Sequence, residues 1–519
     1  MRKFSMPDRK NSYVTFKTDD GCYLAVNSEG QAFLTQDSGP SAIFERIPQG
    51  KNKAGVRSLI TGNPLHLTNN GEVFATKATQ VGEKLNFEVR ETRSGRISIQ
   101  TASGVILKPD KEQLQTEEMV EKKTKAAFHI QGIDEWMNLN GPGAAGDFGV
   151  LWESRIHKAL VSSAIAIIDK YKDKLPQAKK FCDLWGSDRT FISEVERGAL
   201  AADTEDPYND YLWRKHFYDP YTEKNYLGLQ NYTAKTECVN YFRQACMENN
   251  YFKLGLSFHF FADLHMPMHV GNYTNAHDPW GCHGKYEEYA DGNMSSFFLD
   301  AQTFRGKFTE RDLFFLMDLE KLCWGVAVAA RSIFGPLGYK LIPQKAKALN
   351  PNWGNEADSS LSSALPLAQK GAVMLFLRWA DVMGLSKSPL NGGIGGDSFI
   401  DDFTTEKIVK ITLHHGGLID GIQTTWGWPD GQTLTGKFHG GLGGNTQEIK
   451  FAPDEYIIAV EGKKCDKFIR QLAFVTNKRR CGPYGNDYGS TFSYSAKKIR
   501  GFYGRAGCYV DALGMLAET

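Results

Sequence analysis

The sequence predicts a multidomain chain: a β-rich segment, an all-α segment, then a second β-rich segment of another kind. Three observations carry this expectation. Short alternating runs recur in three copies through the first 130 residues. The apolar period then becomes helical, from about residue 150 to about 385. From Gly395 onward, runs such as EKIVKITLHH, EYIIAVEG and RQLAFVTN alternate with glycine turns, and the first repeat does not carry over. A length of 519 residues suits about three or four domains.

In the first segment Gly21, Gly62 and Gly104 recur at about forty-two residues. Leu24, Leu67 and Leu107 keep the same interval, as do Phe44, Phe87 and Phe128. Three copies of a short-strand unit predict a β-trefoil over residues 1–131, with another small β-barrel as the alternative. The repeated Phe-Glu of Phe44-Glu45 and Phe87-Glu88 resembles fascin-like trefoils.

A Gly/Pro-rich link, NLNGPGAAGDFG, precedes the helical segment. There Ile156, Leu160, Ala164 and Ile168 form one helical stripe. Two further runs, TECVNYFRQACMENNYFKLGLSFHFFADL and LAQKGAVMLFLRWADVMG, are also helical in pattern.

The stretch HFFADLHMPMH carries the chemistry of this segment. His259 and Asp263 stand four apart, so a helix projects both from one face. Pro267 ends that helix and His269 enters from the turn. Farther on, His283 and Glu287 repeat the i, i+4 spacing. Two such helices facing each other converge nitrogen and oxygen donors suited to zinc. The nine cysteines include no CxxC pair, which argues against thiolate ligation. His265 and His277 fit no ligand position and read as solvated or supporting histidines.

The spacing of His259, Asp263, His269, His283 and Glu287, with Pro267 and Asn272, resembles the zinc-dependent phospholipase C family. Phe260 stands where that family commonly has Tyr. The resemblance covers about residues 150–386 and implies a cluster of two or three zinc ions. GALAADTEDPYNDYLWRKHFYDP would supply Asp203 and His216, and SRIHKALVSSAIAII would supply His157. By the same resemblance Asp203, His216, His259 and Asp263 hold one ion. His269, His283 and Glu287 hold a second, and His157 with a bridging Asp263 holds a third. Asp203 would orient or deprotonate the attacking water. Trp213 would line a head-group pocket, where its ring could hold a quaternary ammonium.

One departure stands out. In that family the free amino group of an N-terminal Trp completes the third zinc, and here a β segment precedes the helices. Trp136 and Trp152 lie twenty-one and five residues before His157, neither at the family interval. Either the chain is a precursor cut before Trp136, or the third ion is held otherwise or is absent.

A second link, GLSKSPLNGGIGG, leads to the last segment. GGIGGDSFIDD, GPYGNDYGSTF and GFYGRAGCYVDALG resemble jacalin-related lectins, which are β-prisms, over about residues 393–517. That resemblance implies a sugar held between Gly396 and the turn from Gly507 to Asp511, by the amides of Cys508 and Tyr509 and the Asp511 carboxylate. Lys463 stands where galactose-preferring members stack an aromatic ring, so mannose or glucose is expected.

Together these features predict a metal-dependent phospholipase C. It would cleave phosphatidylcholine-like glycerophospholipids to diacylglycerol and a phosphorylated head group, held at glycosylated membrane surfaces by the lectin. A single-strand nuclease of the related zinc fold and a non-catalytic glycan-binding protein are the alternatives. Glu287, where such nucleases carry Asp, and a net charge of +1 speak against nucleic acid. No apolar run is long enough to cross a membrane. The N-terminus shows no apolar signal core, while the resemblance implies a secreted protein.

Overall fold

The structure is a computed structural model. It describes residues 13–18, 22–27, 31–35, 42–48, 53–59, 63–67, 73–75, 87–91, 96–101, 105–110, 113–118, 128–132, 154–205, 207–209, 212–273, 282–313, 318–341, 353–402, 407–428 and 431–518. The link at 138–149, His277, Trp136 and Trp152 lie outside the described residues.

In the N-terminal region, β1 (Tyr13–Lys17), β4 (Ile43–Pro48), β5 (Lys53–Ser58), β8 (Phe87–Glu91), β9 (Arg96–Thr101) and β12 (Phe128–Gly132) pair in that order. Because β12 pairs back onto β1, the six strands close a ring and leave no open edge among themselves. Three hairpins stand off it: β2 (Tyr23–Val26) with β3 (Ala32–Thr35), β6 (His66–Leu67) with β7 (Val73–Phe74), and β10 (Val105–Asp110) with β11 (Gln113–Glu118). The repeated Phe44, Phe87 and Phe128 fall at the starts of β4, β8 and β12, and the repeated leucines fall in the first strand of each hairpin. Phe16, Phe44, Phe87, Leu24 and Leu107 are buried in one core.

The helical region contains α1 (Ser154–Asp169), α2 (Pro176–Leu184), α3 (Arg189–Thr204), α4 (Ala234–Glu248), α5 (Tyr251–Asp263), α6 (Pro267–Val270) and α7 (Cys282–Phe297). It continues with α8 (Ala301–Lys307), α9 (Glu310–Leu313), α10 (Leu319–Leu341) and α11 (Trp353–Met383). Helix starts follow the local chemistry. Asp188 caps α3 by accepting from the amides of Thr190 and Phe191, at 2.8 and 3.2 Å. A Thr233–Thr236 capping box opens α4, and Asn250 caps α5 by accepting from Lys253 N at 3.0 Å. Nearly all of α5 is buried, so it is the axis of the region. It crosses α3 at two glycines. A Cβ on Gly198 would sit 2.0 Å from the Phe252 carbonyl oxygen, and one on Gly255 would sit 2.2 Å from that of Val195. This close crossing sets α3 against α5 just before Asp203 and His259.

The C-terminal region has three antiparallel sheets around one core of Ile411, Trp426, Val460, Phe474, Phe502 and Met515. Each sheet is centred on a hairpin: β13 (Lys407–His415) with β14 (Ile419–Gly427), β15 (Ile457–Lys464) with β16 (Ile469–Thr476), and β17 (Lys498–Ala506) with β18 (Val510–Glu518).

The stretch read as a second link is built into this fold instead. Ser386 and Lys387 pair with Ala517 and Leu516, and Asn391 and Gly392 pair with Leu513 and Ala512. Ile400, Tyr503 and Leu516 join the helical core. Arg378 of α11 donates to the Asp402 carbonyl at 2.9 Å, and Asp402 Oδ2 accepts from Leu319 N at 3.1 Å. Glu320 of α10 accepts from both Arg243 and Lys437, at 2.8 Å each. On the opposite flank, Tyr13, Ile43 and Leu59 pack with Leu212, Leu227 and Leu229.

Candidate metal centre

Five helices and one connection bring the predicted ligands together. Helix α1 supplies His157, α3 ends on Asp203 and Thr204, and α5 supplies His259 and Asp263. His216 comes from a 3-10 turn, Arg214–His216, entered through a left-handed Trp213 (φ 53°). Asn225 braces that segment by donating to the Arg214 carbonyl and accepting from the Leu227 and Leu229 amides. The sequence places Pro267 as the stop of α5. In the structure α5 has already ended at Asp263, and Pro267 opens the one-turn α6, where its missing N–H leaves no helix bond unmade. His269 therefore comes from a helix and not from a turn. His283 and Glu287 share one face of α7.

Three sets gather their donor atoms within 4.8 Å of one another: His157, His259 and Asp263; Asp203, His216 and His259; His269, His283 and Glu287. All of these side chains are buried. Asp263 joins the sets, with Oδ2 2.9 Å from His216 Nδ1 and 3.3 Å from His259 Nε2, and Oδ1 3.3 Å from His269 Nδ1.

The donor set fits divalent metal. Both ring nitrogens of His157 and His269, both oxygens of Asp203, His216 Nε2, His259 Nδ1 and Asp263 Oδ1 are buried without a hydrogen-bond partner. Orphaned buried polar atoms are rare and costly in folded proteins, and here they converge. His269 Nε2 lies 3.2 Å from Glu287 Oε1. His283 donates through Nδ1 to the Tyr273 carbonyl at 2.9 Å, which turns Nε2 toward Glu287. A ligating imidazole is commonly oriented in this way. Sequence reasoning missed Tyr273, because a backbone oxygen leaves no mark in residue identity.

Burial pushes the Asp203 carboxyl up to about 8. Burial also lifts Asp263, but His259 and His269 outweigh it and hold this carboxyl well below the usual range. For His269 burial lowers the pKa, and the Asp263 and Glu287 carboxylates reverse that to about 10.

The Trp213 ring is half-buried, 5.3 Å from the His216 ring. His265, expected to be solvated or supporting, is buried. It donates to the Phe261 carbonyl at 2.9 Å, its ring lies against Gly371, and it joins none of the three sets.

In the C-terminal region, Gly396 (φ 62°) faces Asp511, whose Oδ2 lies 2.6 Å from where a Cβ on that glycine would stand. The Gly507 amide donates to the same oxygen at 3.0 Å. Cys508 and the partly exposed Tyr509 form the turn above it, with the Tyr509 ring 5.4 Å from Phe468. Lys463 pairs with Asp487 at 2.6 Å. Among the described residues no helix is long and apolar enough to cross a membrane.

Comparison with known proteins agrees with this division. The family described as zinc dependent phospholipase C matches residues 156–332, and the jacalin-like lectin domain matches residues 389–516. A phospholipase C of Bacillus cereus is 35% identical over 160 residues, which cover 28% of this chain and 55% of that protein. The chain thus spans about half the length of that relative. Jacalin-related lectin 19 of Arabidopsis thaliana is 36% identical over 133 residues, 24% of this chain and 74% of that protein. A solved structure of Malaysian banana lectin is 36% identical, with a TM-score of 0.24, covering 26% of this chain and 97% of that one. The chain belongs to the jacalin-like lectins through its C-terminal domain and carries a zinc dependent phospholipase C domain in its helical middle.

Proposed function

We propose that this protein is a secreted phospholipase C. It hydrolyses glycerophospholipids such as phosphatidylcholine to diacylglycerol and a phosphorylated head group, and its lectin domain holds it on glycosylated surfaces. The observation that supports this most is the gathering of His157, Asp203, His216, His259, Asp263, His269, His283 and Glu287 into three adjoining buried sets, with orphaned polar atoms on His157, Asp203, His216, His259, Asp263 and His269.

In this reading Asp203, His216, His259 and Asp263 hold one ion, and His269, His283 and Glu287 a second. His157 with Asp263 serves a third. Zinc bound there would supply Lewis acidity toward phosphoryl oxygens and would acidify a water. Asp203, with neither carboxylate oxygen committed to a hydrogen bond, would be the group to orient an attacking water and accept its proton. Trp213, beside His216, offers an aromatic face to a quaternary ammonium head group. Gly396, Cys508, Tyr509 and Asp511 hold a mannose- or glucose-type unit, with the carboxylate and the turn amides binding adjacent hydroxyls.

The proposed domains are 1–131, 150–386 and 393–517. We assign the first as a β-trefoil, a reading supported by its six-strand ring with three hairpins. Surface attachment raises the local substrate concentration without any change at the metal centre.

The test is release of phosphocholine from phosphatidylcholine vesicles by the purified full-length chain. Release should stop with a chelator and return with zinc. Nucleotide release from single-stranded DNA without phosphocholine would replace this reading by the related nuclease. Sugar binding with neither release would leave a glycan-binding protein.

A further inference from the structure

The connection between α3 and α4 carries Trp213 and His216, yet the helical core leaves part of it uncovered. Leu212, Leu227 and Leu229 are buried in a separate small cluster, whose other buried members are Tyr13, Ile43 and Leu59 of the N-terminal region. Among the described residues none of the three leucines belongs to the helical core. Their apolar cover comes from the neighbouring region.

The polar contacts run the same way. Arg214 is only 8% exposed, and its Nη2 donates to the Tyr13 hydroxyl at 3.3 Å. The guanidinium also lies 4.3 Å from the centre of the Tyr232 ring and 5.8 Å from that of Tyr13. At such distances a cation is attracted to a ring face. Tyr13 is itself held firmly: it starts β1 and pairs with Glu45 of β4 in the closed ring. Lys215 turns the other way and donates to the Pro207 and Tyr208 carbonyls, at 2.8 and 3.1 Å. Two successive cations thus fix the segment from opposite flanks, one on each region, immediately before His216.

Between Leu212 and Arg214 stands Trp213, with left-handed backbone (φ 53°). A bulky residue keeps that conformation only where its surroundings impose it. Both chain neighbours of Trp213 rest on the N-terminal region. The turn that follows closes when the His216 amide donates to the Trp213 carbonyl at 3.2 Å.

We infer that the N-terminal region is a fixed part of the metal centre's scaffold. Tyr13 and Leu59 are positioning residues: through Arg214 and Leu212 they hold the Trp213 turn, and so aim His216 at Asp263 and His259, which lie 2.9 and 3.2 Å from its Nδ1. A cut before Trp136 that released the region would bare three leucines and remove a partner of a buried guanidinium. The inference therefore separates this chain from a precursor whose N-terminal part is discarded on activation. It rests on the reading of His216 as a metal ligand.

Chelator competition on the full-length chain with zinc as the probe, and the visible spectrum of the same chain loaded with cobalt(II), test this. Tyr13→Ala should weaken one bound zinc by about tenfold or more, the scale for lost support of a ligand, and should alter the cobalt bands. Leu59→Ala should act in the same direction. Tyr13→Phe, which keeps the ring, should recover most of the affinity. Ile99→Val is the control, because it trims the other N-terminal core and not this seam. It should lower the melting temperature and leave zinc affinity and cobalt bands unchanged. Wild-type affinity and spectrum in both Tyr13→Ala and Leu59→Ala overturn the inference while leaving His216 a ligand. An equal loss in Ile99→Val also overturns it, since general loosening would then account for the effect. A wild-type chain that takes up no zinc overturns the reading of His216 and this inference with it.

Discussion

Replacing Gly198 by Ala should damage the metal centre from a distance. A Cβ there would lie 2.0 Å from the Phe252 carbonyl oxygen, whereas even a close C···O contact lies at about 3.3 Å. Helices α3 and α5 must therefore part by roughly 1 Å, and overpacking of this kind costs about 1–3 kcal/mol. Asp203 lies five residues beyond Gly198, and His259 four beyond Gly255. Their side chains, 3.4 Å apart, sit past the crossing and would move with it. Metal sites tolerate about 0.2 Å in ligand distance. The displacement exceeds that several-fold, so zinc affinity should fall by about 10–100-fold, the range for disturbed ligand support. Competition with a chromogenic chelator gives the affinity, and circular dichroism reports whether the helices survive. Wild-type affinity together with an unchanged melting temperature would refute the argument that this crossing sets the centre.

Four further outcomes follow from the structure. Asp263→Asn should remove more than one zinc per chain by elemental analysis, because its two oxygens approach His216, His259 and His269; His265→Gln should leave zinc content intact and lower only stability. Saturating zinc at about a hundredfold over its Kd should add about 2.7 kcal/mol to the folded state, a rise of roughly 5–10 °C in the calorimetric melting of the helical region, abolished by a chelator. At the seam between helical and lectin domains, burial would raise Glu320, but Lys437 and Arg243 hold it down to about 2, from an ordinary value of 4.5. A depressed carboxyl contributes stability that is present above pH 4.5 and lost as pH falls toward 2. The melting difference between wild type and Glu320→Gln should therefore close across that window, and a difference constant from pH 6 to pH 2 would contradict the assignment.

The candidate metal ligands were legible because helical spacing writes itself into sequence: His259 with Asp263 and His283 with Glu287 each share a face by counting alone. The three-copy repeat was legible for a similar reason, since Phe44, Phe87 and Phe128 mark equivalent strands. What escaped were pairings between distant residues. Nothing in Gly198 or Gly255 taken singly says that they cross. Asp402 and Arg378 meet only after the lectin has folded against the helices. The stretch from Gly384 to Gly396 has linker composition, yet its backbone hydrogen bonds go to the last strand. Glycine content reports conformational freedom and says nothing of what the freed backbone then pairs with. His265 stays outside the three sets as expected, but its burial was not legible: a polar residue near a turn suggests water, while tertiary packing placed it in the core.

The paired backbone of Ser386 and Lys387 against the last strand has a consequence for how the molecule meets a surface. With Asp402, Lys437 and Leu516 also anchored against the helices, the described residues tie the two domains together at several points. On the proposed function, the sugar corner and the metal centre would then keep one bearing to each other. A glycan caught by one end would set the angle and height at which the other meets a bilayer. The spacing of sugars above the lipid would become a selection criterion alongside the identity of either ligand.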